Sequence, residues 1–156
     1  MTTENLDKLF APKSVALIGA SNRPMSVGSV IMQNLLEGGF QGDIMPVNPK
    51  GELIHGVQSY KSVPDLPKTP DLAVLCIPPT AVPDSIQQLC EKGTRAAIII
   101  AAGLNIKNEA GENLQEKTLA TAKKYGMRLV GPNCLGTLVP RIGLNASFTT
   151  TPAING

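Results

Sequence analysis

Five short, largely apolar runs punctuate the chain, at Asp43 to Val47, Asp71 to Ile77, Arg95 to Ala101, Arg128 to Val130 and, first of all, Val15 to Ile18. Val15 to Ile18 has no polar break and Ile98-Ile99-Ile100 is wholly apolar, the pattern of strands covered on both faces in a parallel sheet. Helical stripes lie between the runs. Val27, Val30, Ile31 and Leu35 recur at i, i+3, i+4 and i+8 and stop at Gly38-Gly39, while Val82, Ile86, Leu89 and Cys90 form a second stripe closed by Gly93. A third, weakly periodic helix is predicted over Ala110 to Tyr125, with Gly126 just beyond it. Leu6, Leu9 and Phe10 make a short amphipathic turn that Pro12 ends. Strands alternating with helices through short connections predict right-handed crossovers and an α/β fold built on one doubly wound parallel sheet. Residues 51 to 69 read as a long connection, punctuated by Gly51, Gly56, Pro64 and Pro67, with a short extended piece near Val57.

The residues with distinctive chemistry fall just after strands, so Gly19 to Arg23, Asn48 to Lys50, Pro78-Pro79, Ala102-Gly103 and Asn133-Cys134 converge on the carboxyl edge, where open α/β sheets bind ligands. Gly19 turns the chain sharply after the first strand, and Ser26 caps a helix beginning near Val27 whose free N–H groups and positive dipole end face the loop. Gly19, Ser21, Arg23 and Gly28 thus place a flexible turn, a hydroxyl, a cation and a side-chain-free position around one small volume, a setting that suits a phosphate. An α/β domain can carry the same strand, turn and helix and bind nothing there. The loop is not the G-x-G-x-x-G dinucleotide fingerprint, because Ser21 stands where closest backbone approach is needed and the next glycine is Gly28. At the end of the second strand the charge is Lys50, where an NAD site usually has an acidic residue. A cation there leaves an NADP-dependent oxidoreductase or redox sensor as a competing reading, and a solvated turn lysine as a bland one. Pro78-Pro79 makes either an apolar wall or a rigid strand exit, and Ala101-Ala102-Gly103 leaves room for a ligand.

The 156 residues carry a net charge of +2 and 3% aromatics, which provides neither the charge nor the stacking platforms for nucleic-acid binding. The amino terminus lacks a signal-peptide pattern and the apolar runs are too short to span a bilayer, so a cytoplasmic protein is expected. Cys76, Cys90 and Cys134 show no C-x-x-C spacing, which points to reduced thiols and no zinc site. His55 is the sole histidine, too few for a His-rich metal site, and reads as a surface loop residue. Residues 1–145 are expected to form one domain and 146–156 a linker toward a further domain.

Ser14-Val-Ala-Leu-Ile-Gly-Ala-Ser21, Pro46-Val-Asn-Pro-Lys50, Gly131-Pro-Asn-Cys-Leu-Gly136 and Leu144-Asn-Ala-Ser-Phe148 together resemble the amino-terminal CoA-binding domain of the NDP-forming acyl-CoA synthetases. That group includes the succinyl-CoA synthetase α subunit, ADP-forming acetate-CoA ligases and protein lysine acetyltransferases that fuse this module to an acetyltransferase domain. The resemblance covers about residues 8 to 150 and implies a Rossmann-like domain with coenzyme A or acyl-CoA as ligand. It implies that Gly19, Ser21, Asn22 and Arg23 line the CoA phosphates and that Lys50 meets a charged part of the nucleotide. Ile77 and Pro78 would wall the ligand, Ile100, Ala101 and Ala102 would flank the pantetheine arm, and Asn133 and Cys134 would lie near the thiol. The succinyl enzyme has an acidic residue near the position of Ala102, so that contact departs from the pattern. The family's catalytic phosphohistidine belongs to the next domain, and His55 is in the wrong segment to replace it. No catalytic residue is therefore expected here, with Cys134 as a covalent nucleophile the sharp alternative. The expected role is to hold CoA and aim its thiol for synthetase domains downstream or on a partner subunit.

Overall fold

The structure is a computed structural model that describes residues 3–151. In chain order its elements are α1 (Leu6–Phe10), β1 (Ser14–Ile18), α2 (Val27–Glu37), β2 (Asp43–Val47), β3 (Leu53–Ile54), β4 (Val57–Gln58), β5 (Leu72–Leu75), α3 (Val82–Lys92), β6 (Ala96–Ile99), α4 (Leu114–Tyr125), β7 (Arg128–Val130), β8 (Gly136–Val139) and β9 (Leu144–Ser147). Single 3-10 turns over Pro79–Ala81 and Pro140–Ile142 precede α3 and β9.

Five strands form one parallel sheet in the order β2-β1-β5-β6-β7. All five residues of β1 are buried because the strand is central and covered on both faces. Alternate side chains serve opposite layers. Val15 and Leu17 pack with Ile31, Met32 and Leu35 of α2, whereas Ala16 and Ile18 join the cluster containing Ile86 and Leu89 of α3 and Ala122 of α4. Each fully buried leucine or isoleucine contributes on the order of 2 kcal/mol. The α2 layer is completed by α1 and by a hairpin of β8 and β9, whose Leu144 and Ala146 enter the same cluster as Leu17.

Chain direction places the site. After β1 the chain goes outward to β2, and then returns across to β5 on the other side of β1. The connections leaving β1 and β5 therefore diverge, which opens a crevice at their carboxyl ends, the general ligand position in such sheets.

Three details differ from the sequence pattern. The third large helix begins at Leu114 and not at Ala110, because Gly111 holds φ +80° and the Asn113 side chain caps the helix by accepting from the Glu116 N–H at 3.1 Å. The long connection contains a β3–β4 hairpin whose two-residue turn, His55-Gly56, has positive φ at both positions (47° and 83°), the mark of a type I′ turn. The domain boundary expected after residue 145 falls inside β9, where Ala146 and Ser147 are fully buried. Asn34 of α2 then donates to the carbonyls of Ser147 and Thr149 at 2.8 and 2.9 Å, holding the chain beyond the strand. Residues 152–156 of the expected linker lie outside the described residues.

Candidate functional site

The loop between β1 and α2 is shaped by close backbone approach. Gly19, at φ +92°, faces the Cys76 carbonyl so closely that a Cβ would stand 2.4 Å from its oxygen. The N–H groups of Gly19 and Ala20 both donate to the Val47 carbonyl, at 3.1 and 3.2 Å, so the loop continues the sheet before turning away. Ser21 Oγ accepts from the Arg23 N–H at 3.0 Å, and Ser26 Oγ donates to the Arg23 carbonyl at 2.8 Å while accepting from the Ser29 N–H at 3.3 Å. Those bonds close a compact turn over the start of α2. Among the described residues the Val27 and Gly28 N–H groups of the first helical turn donate to no acceptor, so two donors and the positive end of the helix dipole serve this loop.

Lys50 approaches from the exit of β2. Asn48 holds that exit: its Nδ2 donates to the Ala20 carbonyl at 2.8 Å and its Oδ1 accepts from the Lys50 N–H at 2.8 Å. Asn22 binds the next segment, with Nδ2 donating to the Leu53 carbonyl at 2.7 Å and Oδ1 accepting from the His55 N–H at 2.9 Å. Arg23 and Lys50 are exposed, and among the described residues neither charged group has an ion pair or hydrogen bond. His55 is exposed as expected, yet it belongs to the edge of this site, with Nε2 2.8 Å from Ser29 Oγ. Sequence reasoning did not connect His55 to the loop, and the signal that bears on it is the His-Gly pair between Ile54 and Val57, since histidine tolerates the left-handed region better than most residues.

Farther along the edge the surroundings become apolar. Ile77 touches the Gly19 turn, Pro78 is exposed, and Pro79 opens the 3-10 turn into α3. Ile100 is buried, Ala101 half-buried and Ala102 exposed, leaving the Ala102-Gly103 surface free of bulk. The Asn133 N–H donates to the Ala101 carbonyl at 3.0 Å, and Cys134 Sγ donates to the Ile99 carbonyl at 3.4 Å, which docks the β7 exit on the β6 exit. Asn133 has φ 55° and follows a cis Gly131-Pro132 bond. The Cys76 thiol is pushed up to about 12, chiefly by burial and secondarily by nearby Cys134, so it stays protonated at neutral pH and is no nucleophile. Among the described residues no cluster of three or more His, Cys, Asp or Glu side chains could hold a metal.

All thirteen residues singled out from the sequence therefore lie along one sheet edge, but not at one point. The exits run in sheet order: Lys50 after β2, Gly19 to Arg23 and Gly28 after β1, Ile77-Pro78 after β5, Ile100 to Ala102 after β6, and Asn133-Cys134 after β7. With strands ~4.8 Å apart, the row is roughly 19 Å long. Its first half is cationic and rich in N–H donors, and its second half is small and apolar.

A family model described as a CoA binding domain matches residues 13–140. The chain belongs to that family. This CoA-binding domain is 40% identical over 156 residues to the α subunit of an ADP-forming acetate-CoA ligase of Pyrococcus furiosus, covering 97% of this chain and 34% of that one. It is also 40% identical over 130 residues to an ADP-forming 4-hydroxybutyrate-CoA ligase of Nitrosopumilus maritimus, covering 83% of this chain and 18% of that protein. A solved dinucleotide-forming acetyl-coenzyme A synthetase of Candidatus Korarchaeum cryptofilum, in complex with phosphate and ADP, superimposes with a TM-score of 0.88 at 36% identity, over 97% of this chain and 32% of that one. The chain thus spans about a third or less of the length of these relatives. Their company does not favour the oxidoreductase reading that Lys50 had left open. Among the described residues no helix is long and apolar enough to cross a membrane.

Proposed function

We propose that this domain holds coenzyme A, extended along the carboxyl edge, for acyl transfer in an ADP-forming acyl-CoA synthetase. The observation that carries the reading is the graded row of strand exits, cationic at the β2 and β1 end and small and apolar at the β6 and β7 end. CoA has the same polarity, with phosphates at one end and an uncharged pantetheine arm ending in a thiol at the other. Ser21, Arg23, Lys50 and the first N–H groups of α2 would meet the phosphates, with Gly19 and Gly28 permitting the approach. Ile77 and Pro78 would wall the ligand, Ile100, Ala101 and Ala102 would flank the arm, and Asn133 and Cys134 would lie near the thiol.

This chain's contribution to the chemistry is proximity: a thiol held in one place and direction reacts as though highly concentrated. The phosphoryl and acyl-phosphate steps belong to synthetase domains beyond the matched third of the relatives, carried on the same polypeptide or on a partner subunit. Relatives named for acetate and for 4-hydroxybutyrate share 40% identity with this domain, over 156 and 130 residues, which supports an acid-selecting site outside it. The working compartment in this reading is the cytoplasm.

Calorimetric titration with CoA, and with dephospho-CoA and NADP as controls, tests the proposal. Saturable CoA binding that Lys50→Ala weakens, with no response to NADP, is the expected result. A response to NADP with no heat or thermal shift from CoA overturns it.

A further inference from the structure

The family resemblance places Asn22 among the phosphate ligands, but both ends of its side-chain amide are bonded to the β3–β4 hairpin, to the Leu53 carbonyl and the His55 N–H. We infer that Asn22 is a positioning residue: it latches the hairpin onto the phosphate loop and so fixes the segment carrying Lys50 against the segment carrying Arg23. The inference rests on the CoA-binding reading above.

A hairpin of two residues per strand does not hold its own shape. Its outgoing side is fastened to β2, where the Tyr60 N–H donates to the Pro46 carbonyl at 2.9 Å and the Asn48 N–H donates to the Tyr60 carbonyl at 2.8 Å. Its incoming side follows Lys50 directly; the Gly51 N–H donates to the Asn48 carbonyl at 2.9 Å, and further along it bonds its partner strand, through the Ser59 N–H to the Glu52 carbonyl at 3.3 Å and Gln58 Nε2 to the Gly51 carbonyl at 3.0 Å. Ile54 anchors the hairpin in the core, but its tip reaches the cradle through Asn22 and through the contact of His55 Nε2 with Ser29 Oγ.

Two asparagines therefore cross-brace the same gap. Asn48 ties the near side of the Lys50 turn to Ala20, and Asn22, the residue before Arg23, ties the far side through Leu53 and His55. Only a side chain offering both a donor and an acceptor at this length makes both Asn22 bonds; an aspartate would keep the acceptor and lose the donor. The consequence is a fixed separation between two mobile cations. A ligand with two anionic groups then binds a frame already assembled, where an unbraced loop would present the competent arrangement for a fraction of the time and weaken apparent binding by that fraction.

The test is a double-mutant cycle on the full chain, reading the CoA dissociation constant by calorimetry together with Tm and amide hydrogen exchange at His55. Asn22→Ala is expected to raise the CoA Kd about tenfold, if the braced arrangement falls to about a tenth of the population, and to remove protection of the His55 N–H. In a Lys50→Ala background the same substitution is expected to change Kd less than about threefold, because the residue it positions is gone. Asn22→Asp, which retains the His55 bond, is expected to lie between wild type and Asn22→Ala. Equal effects of Asn22→Ala in both backgrounds, or an Asn22→Asp weaker than Asn22→Ala from charge repulsion, would mark a direct phosphate ligand and overturn the inference. A lower Tm with unchanged Kd would mark a merely structural residue and also overturn it. In those cases wild type still binds CoA and the functional reading stands, whereas a wild type that does not bind CoA removes both.

Discussion

Gly28, in the first turn of α2, stands so close to Gly19 at the end of β1 that a Cβ on Gly28 would lie 2.1 Å from the Gly19 carbonyl oxygen. Helix and loop thus meet through bare backbone, and that contact sets how near the helix N-terminus comes to the loop. Gly28→Ala must push α2 off the loop. The expected cost is about 1–3 kcal/mol of folding stability, read from urea unfolding, with CoA affinity reduced more than tenfold. An unchanged denaturation midpoint and unchanged CoA titration would show that the close approach has no role.

Arg23 and Lys50 extend into solvent without protein partners among the described residues, so their removal leaves the folded state little changed. Arg23→Ala and Lys50→Ala are each expected to weaken CoA binding by about 1.5 kcal/mol while shifting stability by less than about 0.5 kcal/mol. Raising ionic strength should weaken wild-type binding more than that of either variant, because fewer charges remain to be screened. Equal salt dependence in all three proteins would contradict the phosphate role.

The Asp71 carboxylate, away from the site, ties α1 and the segment leading into β1 to the start of β5. Burial opposes its charge, but the Lys8 ammonium at 2.9 Å and the Lys13 N–H at 2.9 Å outweigh that and hold its carboxyl below the usual range. A carboxyl lowered by folding stabilises the protein above its unfolded pKa of about 3.9 and loses that contribution as pH falls through the folded value. Lys8 is raised, by its hydrogen bond and charge interaction with Asp71, so its share is lost only as pH rises past the ordinary lysine range. With Lys8 well exposed, Asp71→Asn is expected to cost only about 0.5–1 kcal/mol at pH 7. Its stability should fall less steeply than wild type below about pH 4, as followed by thermal unfolding across pH.

The thiols of Cys76 and Cys90 are both raised, Cys76 to about 12, with burial the leading cause in each. Neither is expected to react with iodoacetamide in the native protein at pH 7.5, and both should react once it is unfolded, as mass spectrometry would show. Cys134→Ser should leave CoA affinity within about twofold, since a serine hydroxyl can make the same bond to the Ile99 carbonyl. Loss of CoA binding in that variant would revive a direct role for the thiol.

The interior strands β1, β5 and β6 were legible because each is apolar and buried on both faces, while the edge strands β2 and β7, which open on Asp43 and Arg128, showed as shorter apolar runs between helical stretches. The hairpins were not. β3 and β4 have two residues each, too few for any periodicity, and their turn is His-Gly where Asn-Gly or Asp-Gly gives the stronger signal. β9 is fully buried yet half polar, because Ser147 Oγ donates to Asn145 Oδ1 at 2.6 Å and the Ser147 carbonyl accepts from Asn34. Polar side chains satisfied inside the fold look like linker in a sequence. At the candidate site, the shared placement of Gly19, Ser21, Arg23 and Lys50 along one edge could be read from their positions after strands. The engagement of Asn22 could not, since Leu53 and His55 lie 31 and 33 residues away and reach it only through the hairpin.

The spread of the strand exits has a consequence for how the domain can change. Lys50 and Ala102 leave strands separated by β1 and β5, roughly 14 Å apart in the sheet, beyond the distance at which substitutions usually influence one another. Binding along such an edge is close to a sum of local terms, each owned by one loop. In the CoA-binding reading, substitutions at the β6 and β7 end can accumulate with little penalty at the β2 end, so the grip on one part of the ligand can be kept while the hold on the other is retuned.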